Sequence, residues 1–221
     1  MNEILKKELF VFLGPPTSGK TSLTQTFAKI VNGDILRGRD IVPGLVLAYE
    51  DTRSLIPDDH FVPALEGKLN IIGKESRQYY FLDNIPRTKT QAITLLQWVQ
   101  LTESKLRTVV LNLSEEDVLC RYRNRQVCPT CDQSYHSQLK PSKVENRCDQ
   151  DFTYLVRRVG DKEENMGRSY KNYKDMEERV LPILRDGGST YFVSALGTVA
   201  ETAVKIAENL NFTHSFPQSL L

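Results

Sequence analysis

The chain has 221 residues, which suits one large domain or a core domain with inserts. Its 29 Lys and Arg against 28 Asp and Glu leave a net charge of +1, which excludes a strong overall field for drawing in nucleic acid or an anionic membrane, so any basic site must be local. No apolar segment approaches the roughly 20 residues that span a bilayer, and the opening MNEILKKELF lacks an apolar core followed by a small-residue cleavage site, so the chain is expected to be cytoplasmic.

In chain order, the β-like run LFVFL (9–13) leads through a Gly/Pro-rich turn into a helical pattern over 20–29. AKIV (28–31) reads as a second short strand. A helix is expected over 59–69 behind PDD, then strand YYFLD (79–83), helix 88–104, and strand RTVVLNL (107–113). The helix over 114–126 has the clearest start, with Ser114 as its cap and Glu115, Glu116 and Asp117 in an acidic first turn. Between 127 and 157 the pattern breaks in a cysteine-bearing segment. Helix 161–185, strand TYFVS (190–194) and helix 198–210 complete the order, and NFTHSFPQSLL reads as a surface tail. Most of the five strands are apolar on both faces with helices between them, which predicts an α/β fold with a parallel sheet covered on both sides.

Gly14, Pro15, Pro16, Thr17, Ser18, Gly19, Lys20 and Thr21 satisfy the pattern G-x-x-x-x-G-K-[ST] between a strand and a helix. Such a loop turns backbone N–H groups inward at the positive end of a helix, where phosphate oxygens replace water as their partners. Lys20 would bridge the terminal phosphates, and Thr21 would offer its hydroxyl to Mg²⁺. Asp83 ends a strand at the edge of the same loop, where a carboxylate can hold Mg²⁺ through water.

Cys128-x2-Cys131, sixteen residues, then Cys148-x2-Asp151 is a four-ligand zinc-ribbon spacing with a carboxylate in the last place. The surrounding segment is short on aliphatic residues and needs a staple, which a structural Zn²⁺ would supply. His136 is a competing fourth ligand. A stapled insert of this kind is also a candidate lid that excludes water.

Phosphoryl transfer needs in-line positioning and positive charge, which directs attention to Arg37, Arg87, Arg121, Arg125 and Arg158 near strand ends, in loops and beside the cysteines. Together, GPPTSGKTS, GDILR, LIPDD, DNIPRTKTQ, RYRNRQVCPTC, CDQD and RRVGDKEENMGRSYKNY occur in an order and spacing that resembles the adenylate kinases, in the long form with a zinc-bearing lid. The resemblance covers residues 9 to about 210 and implies a P-loop three-layer fold with a five-stranded parallel sheet. It implies a core of 1–31, 78–126 and 158–221, an acceptor-binding insert at 32–77 and a lid at 127–157. The implied reaction is ATP + AMP ⇌ 2 ADP with Mg²⁺, carried out by a monomer.

By the same resemblance, residues 14–22, including Ser22, hold ATP and Arg121 stacks on its adenine; Asn32, Arg37, Asn84, Arg87, Gln91 and Arg158 surround AMP. Lys20, Arg87, Arg125 and Arg158 act on the transferring phosphoryl, and no general base is required. The chain departs from the family in Asn84-Ile85 where most members have Gly-Phe, in Asn32 for a Thr, and in Thr17 for a loop Gly. A second lid arginine falls at Ser169, with Arg168 one position away, a turn of about 100° on a helix. Alternatives from these departures are a kinase for another nucleoside monophosphate and a nucleotide-binding regulatory protein without turnover. A zinc-ribbon nucleic-acid binder is opposed by the balanced charge and the scarcity of interleaved aromatics around RYRNR.

Overall fold

Leu9, Val11 and Leu13 fill one side of strand β1 (Glu8–Leu13) and Phe10 and Phe12 the other, and all five are buried. A strand with two apolar faces must be covered on both, which decides the layering of everything around it. The computed structural model describes residues 6–45, 55–131, 133–157 and 163–212.

From β1 the chain turns into α1 (Lys20–Ile30), β2 (Asp34–Arg37) and the short α2 (Gly38–Ile41), then α3 (Asp58–Lys74) and β3 (Tyr79–Asp83). Helix α4 (Lys89–Leu101) leads to β4 (Lys105–Asn112), α5 (Glu115–Arg123) and a hairpin of β5 (Arg125–Val127) and β6 (Ser134–His136). Helix α6 (Glu163–Gly187), β7 (Gly188–Ser194) and α7 (Val199–Leu210) follow. Five strands form one sheet in the order β2-β3-β1-β4-β7, and every neighbouring pair is parallel. Leu65, Leu69, Leu95, Trp98, Val180 and Leu184 bring α3, α4 and α6 onto one face. Phe27, Val118, Ile206 and Ala207 bring α1, α5 and α7 onto the other. This is the three-layer α/β architecture of a P-loop protein, as expected.

Register sets the site. Asp83 pairs with Phe12 of β1 and with Arg37 of β2, so the loops leaving β1, β2 and β3 open along one edge, at the carboxyl ends of the strands.

One predicted strand is wrong. Ala28 and Ile30 of AKIV lie in α1, whose buried Leu23, Thr24, Phe27 and Ala28 follow the helical spacing i, i+1, i+4, i+5. The helix stops one residue later because Asn32 takes a left-handed φ of 51° and the Gly33 N–H bonds the Ala28 carbonyl at 2.8 Å, closing the end in a Schellman-type turn. The edge strand is therefore DILR, of which only Leu36 is buried. Helix α5 is also shorter than predicted: it starts on the expected Ser114 cap but ends at Arg123, and Arg125–Val127 enter the hairpin.

Among the described residues, the hairpin segment has a small core of Cys128, Tyr135, Cys148 and Leu155, and bridges from Val127 to Val156 and from Arg147 to Tyr154 fold it back on itself. So small a core agrees with the need for a staple.

Candidate active site

The loop after β1 closes on the lysine it carries. Lys20 Nζ donates to the carbonyls of Gly14 at 2.7 Å and Pro15 at 2.9 Å, with Ser18 Oγ at 3.4 Å. A side chain at Gly14 would bring its Cβ to 2.7 Å from Ser18 Oγ and 2.8 Å from Leu111 Cβ, so only glycine lets the loop lie against β4. Thr17 adopts a left-handed φ of 63°, a strained region for a β-branched residue. Arg121 holds that strained unit by donating Nη1 to the Thr17 carbonyl at 3.1 Å. Burial drives the Lys20 ammonium down to about 8; Asp83 opposes the shift, and the positive charges of Arg87 and Arg125 add to it.

Thr21 Oγ1 donates to Asp83 Oδ2 at 2.9 Å, tying the first turn of α1 to the end of β3. Asp83 is buried, and its Oδ1 has no hydrogen-bond partner among the described residues. A hydroxyl beside a buried carboxylate with an unanswered oxygen, at the phosphate end of the loop, is a donor set that fits Mg²⁺ held through water.

The loop forms one wall of a cleft of about 980 Å³. Ser22 and the loop residues Gly14 and Pro16 to Thr21 line its donor end, while Arg37, Asn84, Arg87 and Gln91 line the other. Arg121 and Arg125 stand at the hairpin side, and the Arg125 guanidinium lies 4.8 Å from the centre of the Tyr122 ring. Arg121 Nη2 also donates to the carbonyls of Ala195 at 2.5 Å and Gly197 at 3.1 Å, bridging α5 to the turn before α7. Burial lowers the pKa of both the Arg87 and the Arg121 guanidinium. Pro15 does not line the cleft but supplies a carbonyl to Lys20.

Asn32 is not brought to the cleft. It lies before β2, at the opposite end of the sheet from Asp83, where Arg77 Nη1 donates to its carbonyl at 3.1 Å. Because α1 runs on through Ala28 and Ile30, the site-facing end of β2 is Arg37, followed by Gly38 and Arg39, which also line the cleft. A Cβ at Gly38 would come within 3.1 Å of the Asn84 carbonyl, so Gly38 allows the close approach there. Arg158 lies outside the described residues. Arg168 and Ser169 both line the cleft, so the offset of one residue does not take the Arg168 side chain away from it. Sequence reasoning missed Arg39 and the packing of Thr198 and Val199 against the donor end; Arg39, two residues beyond Arg37 at a strand end, carried a readable signal.

Across the hairpin, Cys128, Cys131, Cys148 and Asp151 each bring a ligand atom within 4.8 Å of the others. Cys131 and Cys148 sulfurs are 3.5 Å apart, and the Asp151 oxygens lie 3.5 and 3.4 Å from Cys128 Sγ. The Tyr135 hydroxyl donates to Cys148 Sγ at 3.4 Å, and Thr153 N–H donates to Asp151 Oδ1 at 3.0 Å. The Thr153 hydrogen bond is the main reason that the Asp151 carboxyl is held at about 2, ionised and ready to ligate. Three thiols and a carboxylate in this arrangement fit tetrahedral Zn²⁺ with no position left open. His136 lies outside this cluster: its Nδ1 accepts from the Gln138 and Leu139 N–H groups at 3.1 Å each, and the residue lines the cleft.

Comparison with known proteins agrees with this geometry. Residues 125–159 match the family described as adenylate kinase, active site lid. The chain is 32% identical to the adenylate kinase of Acholeplasma laidlawii over 191 residues, covering 81% of this chain and 85% of that protein. It is 30% identical to the adenylate kinase of Thermococcus kodakarensis over 217 residues, or 93% and 95% of the two chains. The adenylate kinase of Archaeoglobus fulgidus is 30% identical over 195 residues, or 83% and 88%. With a phosphate loop, a cation-lined cleft and a matching lid in one fold, the chain belongs to the adenylate kinase family and is a nucleoside monophosphate kinase.

Proposed function

We propose that the protein transfers the terminal phosphoryl group of ATP to AMP, reversibly and with Mg²⁺, giving two ADP, as a cytoplasmic monomer. The observation that carries this reading is the single cleft joining the Lys20 loop at one end to Arg37, Arg87 and Gln91 at the other, which suits two nucleotides meeting phosphate to phosphate. Residues 14–22 and Arg121 hold ATP, and Arg37, Asn84, Arg87 and Gln91 hold AMP, within an acceptor insert at 32–77. Lys20, Arg87 and Arg125, with Arg158, place positive charge on the oxygens of the moving group, where charge stabilisation is worth most. Thr21 and Asp83 would hold Mg²⁺, which supplies further charge neutralisation on the phosphates when bound. The lid at 127–157 closes over the cleft and keeps water from competing as acceptor.

Three outcomes test these assignments. Lys20→Ala is expected to cut two-ADP formation by roughly 10²–10³-fold or more while circular dichroism and melting stay near wild type; retained turnover refutes the loop assignment. Burial lowers the Lys20 pKa to about 8, so above that pH the free ammonium loses its proton, while bound phosphate favours the charged form. Calorimetric ATP binding between pH 8 and 9 should therefore take up protons and weaken with rising pH, and an enthalpy independent of the buffer's ionisation heat contradicts this. Elemental analysis is expected to find one zinc per chain. Chelation should then raise hydrogen exchange at 127–157 before the sheet is affected, and absence of metal with an unchanged exchange pattern rejects the zinc site.

A further inference from the structure

The acceptor end of the cleft contains a hydrogen-bond arrangement that phosphoryl transfer itself does not call for. Gln91 lines the cleft although it is only 2% exposed. Its Oε1 accepts from the Arg87 backbone N–H at 2.8 Å, and its Nε2 donates to Asp58 Oδ1 at 2.9 Å. Asp58, in the first turn of α3, stands behind Gln91 and outside the lining of the cleft. Its oxygens also accept the Thr88 hydroxyl, at 3.0 and 2.8 Å. The same hydroxyl caps α4 by accepting from the Gln91 N–H at 3.2 Å. Helices α3 and α4 thus meet on one amide.

The chemistry of these partners fixes which way that amide faces. An ionised carboxylate only accepts and a backbone N–H only donates. Turning the amide over would set Oε1 against the carboxylate and the NH₂ group against the N–H, two repulsive contacts at a buried position. Of the two N–H donors and two oxygen lone pairs of Gln91, one of each is used by the protein. What remains for a ligand is one donor and one acceptor, with nitrogen and oxygen fixed in place. A purine with a 6-amino group and an unprotonated N1 offers the complementary donor and acceptor. A 6-oxo purine, with a carbonyl at C6 and a hydrogen on N1, reverses both. An amide free to turn serves either base, whereas a latched one favours the first and sets like against like for the second.

We infer that Asp58, with Thr88, is a positioning residue that latches the Gln91 amide so that the acceptor site takes 6-amino purine nucleotides and rejects 6-oxo purines. The inference rests on the reading of Gln91 as the contact to the acceptor base. Its test compares kcat/KM for AMP and IMP, two acceptors that differ at purine position 6 and the N1 hydrogen that goes with it. Wild type is expected to favour AMP. Asp58→Asn presents either a donor or an acceptor to Gln91 and should lower the AMP:IMP ratio by about tenfold or more, the effect of one mismatched polar contact. Asp58→Glu keeps an acceptor-only group and should hold more of the preference than Asp58→Asn. The ratio is taken within one preparation, so a loss of folded enzyme lowers both rates and leaves it unmoved. An unchanged ratio in Asp58→Asn, alongside a collapsed ratio in Gln91→Ala, overturns the latch alone. A wild-type ratio in Gln91→Ala overturns the base contact and the latch together.

Discussion

Enclosing an ammonium group in protein is costly unless something answers its charge, and the architecture follows from the need to enclose Lys20. The Gly14 and Pro15 carbonyls answer it in the free protein, and Asp83 favours its charged form from the end of the neighbouring strand. That arrangement requires the loop to lie close against β4, which Gly14 permits, and it requires β1 and β3 to be adjacent and in register, with Phe12 opposite Asp83. The register in turn depends on a central strand buried on both faces by two separate helical layers.

The surrounding cations sharpen the design. Arg87 and Arg125 act on Lys20 in the direction that expels its proton, so the cleft sets like charges near one another. Phosphate oxygens would relieve that repulsion, so the clustered charge favours an anionic ligand. The lid belongs to the same logic, since Arg125 begins β5 and Arg121 reaches from α5 to the strained Thr17 carbonyl. The hairpin segment packs around its own small core of Cys128, Tyr135, Cys148 and Leu155, and a metal held by its clustered ligands would staple it as a unit.

The features legible in the sequence are those where chemistry and period coincide. The Gly14–Thr21 loop, the Ser114 cap and the Cys128/Cys131/Cys148/Asp151 cluster rest on residues whose spacing is nearly sufficient to define them. The AKIV run misled because a short apolar stretch is compatible with both periods, and what decides it is the burial of Leu23, Thr24, Phe27 and Ala28 on the helix face together with the left-handed turn at Asn32. The placement of Asn32 at the acceptor site came from the resemblance alone, and the structure sets it before β2, at the far end of the sheet from Asp83. The Asp58–Gln91–Thr88 arrangement was invisible for a different reason: Asp58 stands 30 and 33 positions from Thr88 and Gln91, and only the packing of α3 against α4 brings it to them.

Whether one cleft brings ATP and AMP together is tested most directly by a coupled assay with ATP and a panel of AMP, GMP, CMP and UMP. ADP formation with AMP is expected at a turnover near the ordinary enzyme range of about 10 s⁻¹, with AMP the preferred acceptor. Preference for another monophosphate, or ATP binding with negligible transfer to any of the four, would contradict it.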